Sequence, residues 1–597
     1  MKKIFSTIGL FDELIKKYPA FFALIFNAIV FTLMLSFFDV FYIGNDDVGM
    51  VLYLKGVGTV ENSSPNILFI NIIFSYIICQ LYRIFDFIDW YPFSFLAITY
   101  FSYAYISYLI FKHASGIYIK LLYIAIYSSI FLFPIILLQF TIVAGIAAIA
   151  GVCGLLITEE NKIRVLALLL ITISALVRFQ SCMLVVVMFA PIYAYKIVSL
   201  KNLQNIVKNS MWVKYLLLSI ALNFGLDYFN ILYYNNYDKT IQFYSFNSAR
   251  GEIIDKEALE SFSEIERKSI LDRVGWTEND YQMFIHWFFM NQEIYHTKVF
   301  EELVKFRPSR NLRSFIKYTF NEKTTEGIKD IIKLPIIIHL FLALFATSIC
   351  YFSFEKLLFA SIVYIWFFII YLLIGFFFRT PPERVFIVMT CATAISFFTI
   401  PIINPSKEIL AAISSNFIKL LLVLIGLYPI QKILRDNRYT MLYSWTQYEN
   451  SNYQREALQS AIENLKSRLN VKLLISWGAA FPADYIKPFE DISYLKRIHI
   501  FSLGTHQLTP EARVVLRKLS ISDLYMAIAE RPDVYLLIGR RYNFMEMKWY
   551  ETYMIEHYGK QIQWQEIDSP FNQLNGSKLF KASFTSTNLS ESTDKKP

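Results

Sequence analysis

The chain of 597 residues is 55% hydrophobic, 17% aromatic and only 18% charged, with a mean hydropathy of +0.41. Soluble domains carry about 25% charged residues, so the composition excludes an ordinary water-soluble enzyme and points to an α-helical polytopic membrane protein. The net charge of +9 does not indicate nucleic acid, because the basic residues fall in short loops between apolar runs, the positive-inside pattern.

From the N-terminus, Lys2, Lys3, Lys16 and Lys17 precede the apolar run Pro19 to Gly44. That run is too long for a signal peptide and has no small-residue cleavage site, so it reads as a retained first span with a cytoplasmic N-terminus. Asn66 to Ile84 is apolar but follows Pro65 and contains Asn71, Gln80 and Arg83. It reads as an interfacial or re-entrant helix. A crossing there would turn the basic loops at Lys112 to Lys120, Glu159 to Arg164 and Tyr195 to Lys214 outward. Phe93 to Phe111 crosses. Ile117 to Thr158 reads as a hairpin turning near Pro134 to Thr141. Val165 to Tyr195 is short for two spans, yet the basic loops on both sides demand a hairpin, turning at Arg178 to Ser181. Val213 to Tyr233, Leu334 to Phe352, Leu357 to Phe378, Val385 to Ile403 and Ile409 to Leu427 complete about eleven crossings of a hydrocarbon core about 30 Å thick. The five cysteines, Cys79, Cys153, Cys182, Cys350 and Cys391, lie in or beside these runs with neither metal nor disulfide spacing.

This topology makes 1–440 a transmembrane domain with outer loops 45–92 and 234–333. Within the long loop, Asp255 to Val274 and Thr277 to Lys305 read as helical, with Thr277 before an acidic first turn. After Thr440 the composition becomes that of a soluble domain, 441–575. Helices are expected at Tyr453 to Leu469, Glu511 to Lys518 and Ser522 to Glu530, and strands at Val471 to Ser476, Ile498 to Leu503 and Val534 to Ile538. The alternation implies a small α/β domain on the outer face. Lys432, Arg435 and Arg438 pull the other way, but the charge rule weakens for long translocated domains. Residues 576–597, rich in Ser, Thr, Asn and Lys, read as a disordered tail.

Chemistry concentrates at the outer end of the first span, in Gly44-Asn45-Asp46-Asp47. Adjacent carboxylates at a membrane boundary are costly unless solvated, paired or bound to a cation. One reading is a solvated helix start. The other is a base for an acceptor hydroxyl, or a ligand for a divalent cation, with Asp46 and Asp47 as the metal residues. Arginines recur at the same level: Arg178 at a hairpin tip, Arg250 in the long loop, and Arg379 and Arg384 around Thr380-Pro-Pro-Glu383. Guanidinium groups there suit a phosphate at headgroup depth, although any single one could simply anchor in headgroups. His286 and His296, and His499 and His506, lack zinc-site spacing and rank as surface or core histidines. Trp477-Gly-Ala-Ala-Phe-Pro482 reads first as a structural turn after a strand.

An acidic pair just after the first span, followed by outer interfacial helices, resembles the GT-C superfamily of membrane glycosyltransferases. Phe246-Asn-Ser-Ala-Arg250 and Gly275-Trp-Thr-Glu-Asn-Asp280 look like segments of poorly characterised bacterial proteins of that group. The resemblance covers Met1 to about Thr440 as architecture and implies a GT-C-like fold and a polyprenyl-phosphate or pyrophosphate sugar donor. It further implies transfer to a glycan, lipid or protein acceptor on the extracytoplasmic face of a bacterial inner membrane. It makes Asp46 or Asp47 the catalytic base or a cation-proximal residue. It puts Arg379 or Arg384 where a carrier-phosphate contact stands. The competing functions are a surface-polysaccharide polymerase or ligase, and a transporter or flippase. A transporter would place ionisable residues near mid-span, where this sequence has almost no acids.

Overall fold

The apolar runs fold into helices that collect at one bundle, while the more polar C-terminal quarter forms a sheet seated on one end of it. The structure is a computed structural model. It describes residues 2–114, 133–199, 211–237, 243–256, 262–306, 354–378, 381–403, 451–540 and 544–585, with a few isolated positions between them. Among these, seven helices are long and apolar enough to cross a membrane, and the chain is a multi-pass membrane protein.

In chain order, α1 (Lys2–Lys17) leads into α2 (Pro19–Phe37), whose Pro19 occupies the first turn, where a missing N–H costs nothing. A two-residue strand β1 (Phe41–Tyr42) follows, then α3 (Asn45–Lys55), α4 (Ile72–Ile84) and α5 (Trp90–His113). Strand β2 (Leu137–Leu138) pairs in parallel with β1, Phe41 opposite Leu137, and opens α6 (Phe140–Ile157). Next come α7 (Asn161–Met188), α8 (Ala190–Ser199) and α9 (Met211–Tyr237). Four short helices follow: α10 (Phe243–Ile254), α11 (Glu264–Asp272), α12 (Glu278–Ile285) and α13 (Thr297–Val304). Two long ones, α14 (Phe354–Phe377) and α15 (Glu383–Ile403), close the described bundle. The expected spans Leu334 to Phe352 and Ile409 to Leu427, and most of the first arm of the Ile117 to Thr158 hairpin, lie outside the described residues.

The apolar stretch Asn161–Val198 is 38 residues long, and a straight helix of that length would reach about 57 Å against a core of about 30 Å. It folds back instead. Arg178 leaves helical geometry at φ −157° and ψ 98°. Ser174 and Ser181 on either side both bond the start of α6, at the carbonyls of Ala144 (2.6 Å) and Thr141 (2.7 Å). Further along, Lys196 reaches the carbonyl of Leu156 at the other end of α6. The hairpin expected at Arg178 to Ser181 is therefore present. Helix α4, at 13 residues, is too short to cross. Its N-cap Asn71 is pinned to the same turn by its own N–H to the carbonyl of Leu176 at 3.0 Å.

The C-terminal domain begins with α16 (Ser451–Ser467). Strands β3 (Leu473–Trp477) and β4 (His499–Ser502) come first, then α17 (Pro510–Lys518) and α18 (Leu524–Glu530) in succession, then β5 (Val534–Ile538). After α19 (Met545–Tyr558) come β6 (Ile562–Ile567) and β7 (Lys578–Phe584). The sheet order is β4-β3-β5-β7-β6, parallel among the first three and antiparallel for the last two. One expectation fails here. Residues 578–584, read as part of a disordered tail, form a strand between β5 and β6, with Leu579, Phe580 and Ala582 buried. The strand's seven residues adjoin a Ser/Thr/Asn-rich stretch, so composition averaged over the whole terminus conceals them.

Leu473-Leu-Ile-Ser-Trp477 is buried throughout, as a central parallel strand covered on both faces must be. The pleat sorts its residues. Leu474, Leu537 and Leu579 pack with α3, α4 and α16. Leu473, Ile475, Trp477, Leu536 and Phe580 share a cluster with α17, α18 and α19 and, beyond them, with residues of α10 to α13. The sheet with its own helices thus sits between the segment after the first span and the loop between α9 and α14.

Candidate functional site

Gly44 caps α3 in an extended conformation, so Asn45, Asp46 and Asp47 fill the first helical turn, where unpaired N–H groups favour carboxylates. The helical period then separates the acids. Asp46 shares a face with Gly49 and Tyr53, which line a cavity of about 310 Å³. Asp47 turns the opposite way with Met50, Val51 and Leu54, and is fully buried.

Asp47 is a cross-tie between helices. Its Oδ1 accepts from the Tyr91 hydroxyl at 2.9 Å and from the Phe140 N–H at 3.2 Å, while its Oδ2 has no partner. The Phe140 N–H is one of the unpaired donors that open α6, and the Gln139 side chain takes two more, Thr141 and Ile142. Burial pushes the Asp47 carboxyl up to about 8; the two hydrogen bonds pull it back, and the neighbouring Asp46 adds to the rise. At neutral pH Asp47 is therefore largely protonated.

Asp46 instead reaches the Arg384 guanidinium, its Oδ2 at 3.5 Å, both side chains about 30% exposed. Arg384 sits in the first turn of α15, directly after Pro381 and Pro382. Arg178, at the fold-back of α7, donates to the Phe69 carbonyl at 3.1 Å and lies over the rings of Phe69 and Phe140. Asp46 and Arg384 are within its electrostatic reach. Asp46 and Arg384 thus meet, with Arg178 within electrostatic range of both, from three segments far apart in sequence. Arg250 does not join them. It is buried, bonded to Asn247 and Asp255, with its guanidinium 4.5 Å from the Trp287 ring centroid. Arg379 lies outside the described residues.

The opposite wall of the cavity comes from the C-terminal domain. The turns leaving the carboxyl ends of β3 and β4, Gly478 to Phe481 and Ser502 to Gln507, face α3 across it. Carboxyl ends of parallel strands are where open α/β sheets hold ligands. Two lining residues, Trp287 (φ +71°) and Ala479 (φ +55°), have left-handed backbones despite carrying side chains, a strain that concentrates at ligand sites. His506 also lines the cavity, its ring 4.8 Å from that of Tyr53. Burial pushes His506 down to about 4, against the opposing pull of Asp46, Glu511 and the Ile67 carbonyl, so it is neutral at pH 7.

Sequence reasoning ranked the Trp477 to Pro482 turn and His506 low, and both belong to this wall. The available signal was a buried strand ending in Gly478-Ala-Ala, which marks a loop at a strand end without revealing what it faces. His499, by contrast, pairs with Glu61 at 3.0 Å, and His296 stands at the N-cap of α13. The surroundings of Asp46 suit an ion pair better than a cation, since a guanidinium faces the carboxylate. The group of described residues whose ligand atoms do converge is Asp280, Glu556 and His557. There Asp280 is already committed to the Thr277 N–H and to His557, at 2.9 and 2.7 Å.

No family model and no curated protein matches the chain. Among solved structures it is similar to ArnT from Cupriavidus metallidurans bound to undecaprenyl phosphate, at a TM-score of 0.35 and 7% identity over 94% of this chain and 97% of that one. The apo state of the same protein gives a TM-score of 0.35 and 8% identity over 93% and 96%. A likeness this distant carries no weight for chemistry, which rests on the residues above.

Proposed function

We propose that the protein is a membrane glycosyltransferase that moves a sugar from a polyprenyl-phosphate or pyrophosphate carrier to a hydroxyl acceptor on the extracytoplasmic face. The observation that carries the reading is the Asp46–Arg384 pair at 3.5 Å, set at the edge of a cavity between the bundle and the C-terminal domain. Base and phosphate holder must lie close together, because the attacked anomeric carbon is bonded to the carrier phosphate. In this reading the acceptor oxygen attacks that carbon as its proton passes to Asp46. The bond to the carrier oxygen breaks, and the released phosphate carries the electron pair to Arg384, supported by Arg178. One displacement inverts the anomeric centre. The proton transfer accounts for roughly 10²- to 10⁴-fold in rate. Arginine at the leaving group offers a planar, two-point grip that lysine lacks.

The test is sugar transfer by the purified full-length protein from a panel of synthetic polyprenyl-phosphate sugars. Arg384→Lys should retain insertion and lower transfer by on the order of tenfold, about 1.4 kcal/mol, with weaker donor dependence. Transfer from no donor, or unchanged donor dependence in the variant, would overturn the assignment.

A further inference from the structure

The charge inventory of the cavity is unusual for a site read as handling phosphate. Among the described residues that line it, Asp46 is the one Asp, Glu, Lys or Arg, and its charge is matched by Arg384. His506 is held neutral. The rest of the described lining is aliphatic and aromatic side chains, a second histidine, His286, and uncharged polar groups. The Tyr53 and Trp287 rings flank it, and Trp287 is fixed in its strained conformation with the Arg250 guanidinium against it. Two lining residues carry buried polar atoms without a partner, Thr59 Oγ1 and His506 Nε2. Buried polar groups ordinarily find a partner.

We propose that this cavity is the acceptor pocket and that the unit it receives is an uncharged, hydroxyl-rich sugar ring. This rests on the glycosyltransferase reading and deepens it. Rings offer faces for the apolar side of a pyranose, while hydroxyls answer uncharged donors and acceptors without bringing charge. A uronate or a phosphate inside it would meet Asp46 and, among the described lining residues, no Lys or Arg, and burying an unmatched charge is strongly unfavourable. An ammonium would find Asp46, the acid among the described lining residues, already engaged by Arg384. About 310 Å³ is at the small end of ligand pockets, roughly 300–1,000 Å³, which suits a terminal ring rather than an extended chain. The assignment also gives Arg250 a place: it positions Trp287 and does not hold phosphate.

Ligand-observed NMR with the purified full-length protein, without donor, tests the pocket. The probes are methyl glucoside, methyl galactoside and N-acetylglucosamine, against glucuronate, glucosamine and glucose 6-phosphate. At least one neutral ring should bind tenfold or more tightly than its charged counterpart. Gly504, in the wall, has no atom within 4 Å of where a Cβ would stand, so Gly504→Leu should fold and fill the space, lowering that binding at least tenfold. Equal or tighter binding of a charged ring would overturn the proposal, as would binding that Gly504→Leu leaves unchanged or the absence of binding by any probe. Selective binding without transfer from any polyprenyl donor would leave the pocket standing and remove the transferase reading. Transfer that survives Gly504→Leu undiminished would remove the pocket alone.

Discussion

Asp46 and Asp47 are adjacent in sequence but differ in nearly every physical respect. A step of one residue turns a helix by about 100°, enough to send one carboxylate to a cavity and the other into the core. Asp46→Asn removes the proposed base and should lower transfer roughly hundredfold or more, leaving insertion intact. Asp47→Asn keeps an acceptor for Tyr91 and Phe140 and should cost less than tenfold. The same pair of variants separates in pH dependence. A carboxyl raised to about 8 in the fold stays protonated where its unfolded counterpart, near 4, has ionised. The native state then binds more protons, so stability falls as pH rises from about 4 to 8 and levels above that. Asp47→Asn should flatten this decline in thermal unfolding of the purified protein, whereas Asp46→Asn, which removes only the neighbouring charge's share of the rise, should shorten it and leave most of it in place. An unchanged slope in Asp47→Asn would mean that Asp47 is ionised in the fold.

At the scale of elements, α3 is held in place by its exit. Gly56 ends it at φ +66°, and a Cβ there would stand 2.6 Å from the Ser63 backbone nitrogen. Left-handed geometry alone costs a residue with a side chain about 1–2 kcal/mol, and the backbone contact adds to it. The fold-back of α7 is a second element-scale device. Cys182 donates toward the Ile171 carbonyl at 3.6 Å, whereas a continuous helix would hold the two residues about 16 Å apart. Ile171→Cys should therefore join Cys182 through the shortest bifunctional thiol reagents in membranes. Failure to cross-link with reagents of that length would mean that α7 runs straight. The turn matters for chemistry because it delivers Arg178 to the level of Asp46.

At the scale of the molecule, the C-terminal domain is clamped to the segment after the first span. Glu61 pairs with His499 and Lys518, the Gly58 carbonyl accepts from the Ile500 N–H, and Glu511 accepts from Ser64, Asn66 and Tyr237. The loop between α9 and α14 bears on the other side of the sheet, where Phe288 packs on Trp477 and the His286 carbonyl accepts from the Trp477 indole. Both must then lie on the same side of the membrane as Asp46. Cysteines at the exposed Ile265, in α11, and at Lys518, in α17, should react alike with an impermeant thiol reagent in intact cells. Labelling of one position without the other would break the assembly described above.

Length, hydropathy and loop charge by themselves determined that the chain is polytopic, where its described spans run, and that Asn66 to Ile84 stays at one end of the bundle. These properties are local: a window of about 20 residues either satisfies the hydrocarbon core or does not. The strand and helix alternation of the C-terminal domain was legible for the same reason, since buried runs such as Val534 to Ile538 carry their own period. The sequence did not reveal β7, because strand partners are set by pairing across the sheet and seven residues beside a polar tail give little pattern. It also could not distinguish Asp46 from Asp47, or separate Arg250 from Arg178 and Arg384. Which face of α3 meets a cavity, and which segments close that cavity, depends on contacts between residues hundreds of positions apart. Only the tertiary structure decided that the C-terminal domain forms a wall of the site, because that depends on its strand-end turns meeting α3, more than 400 residues earlier in the chain.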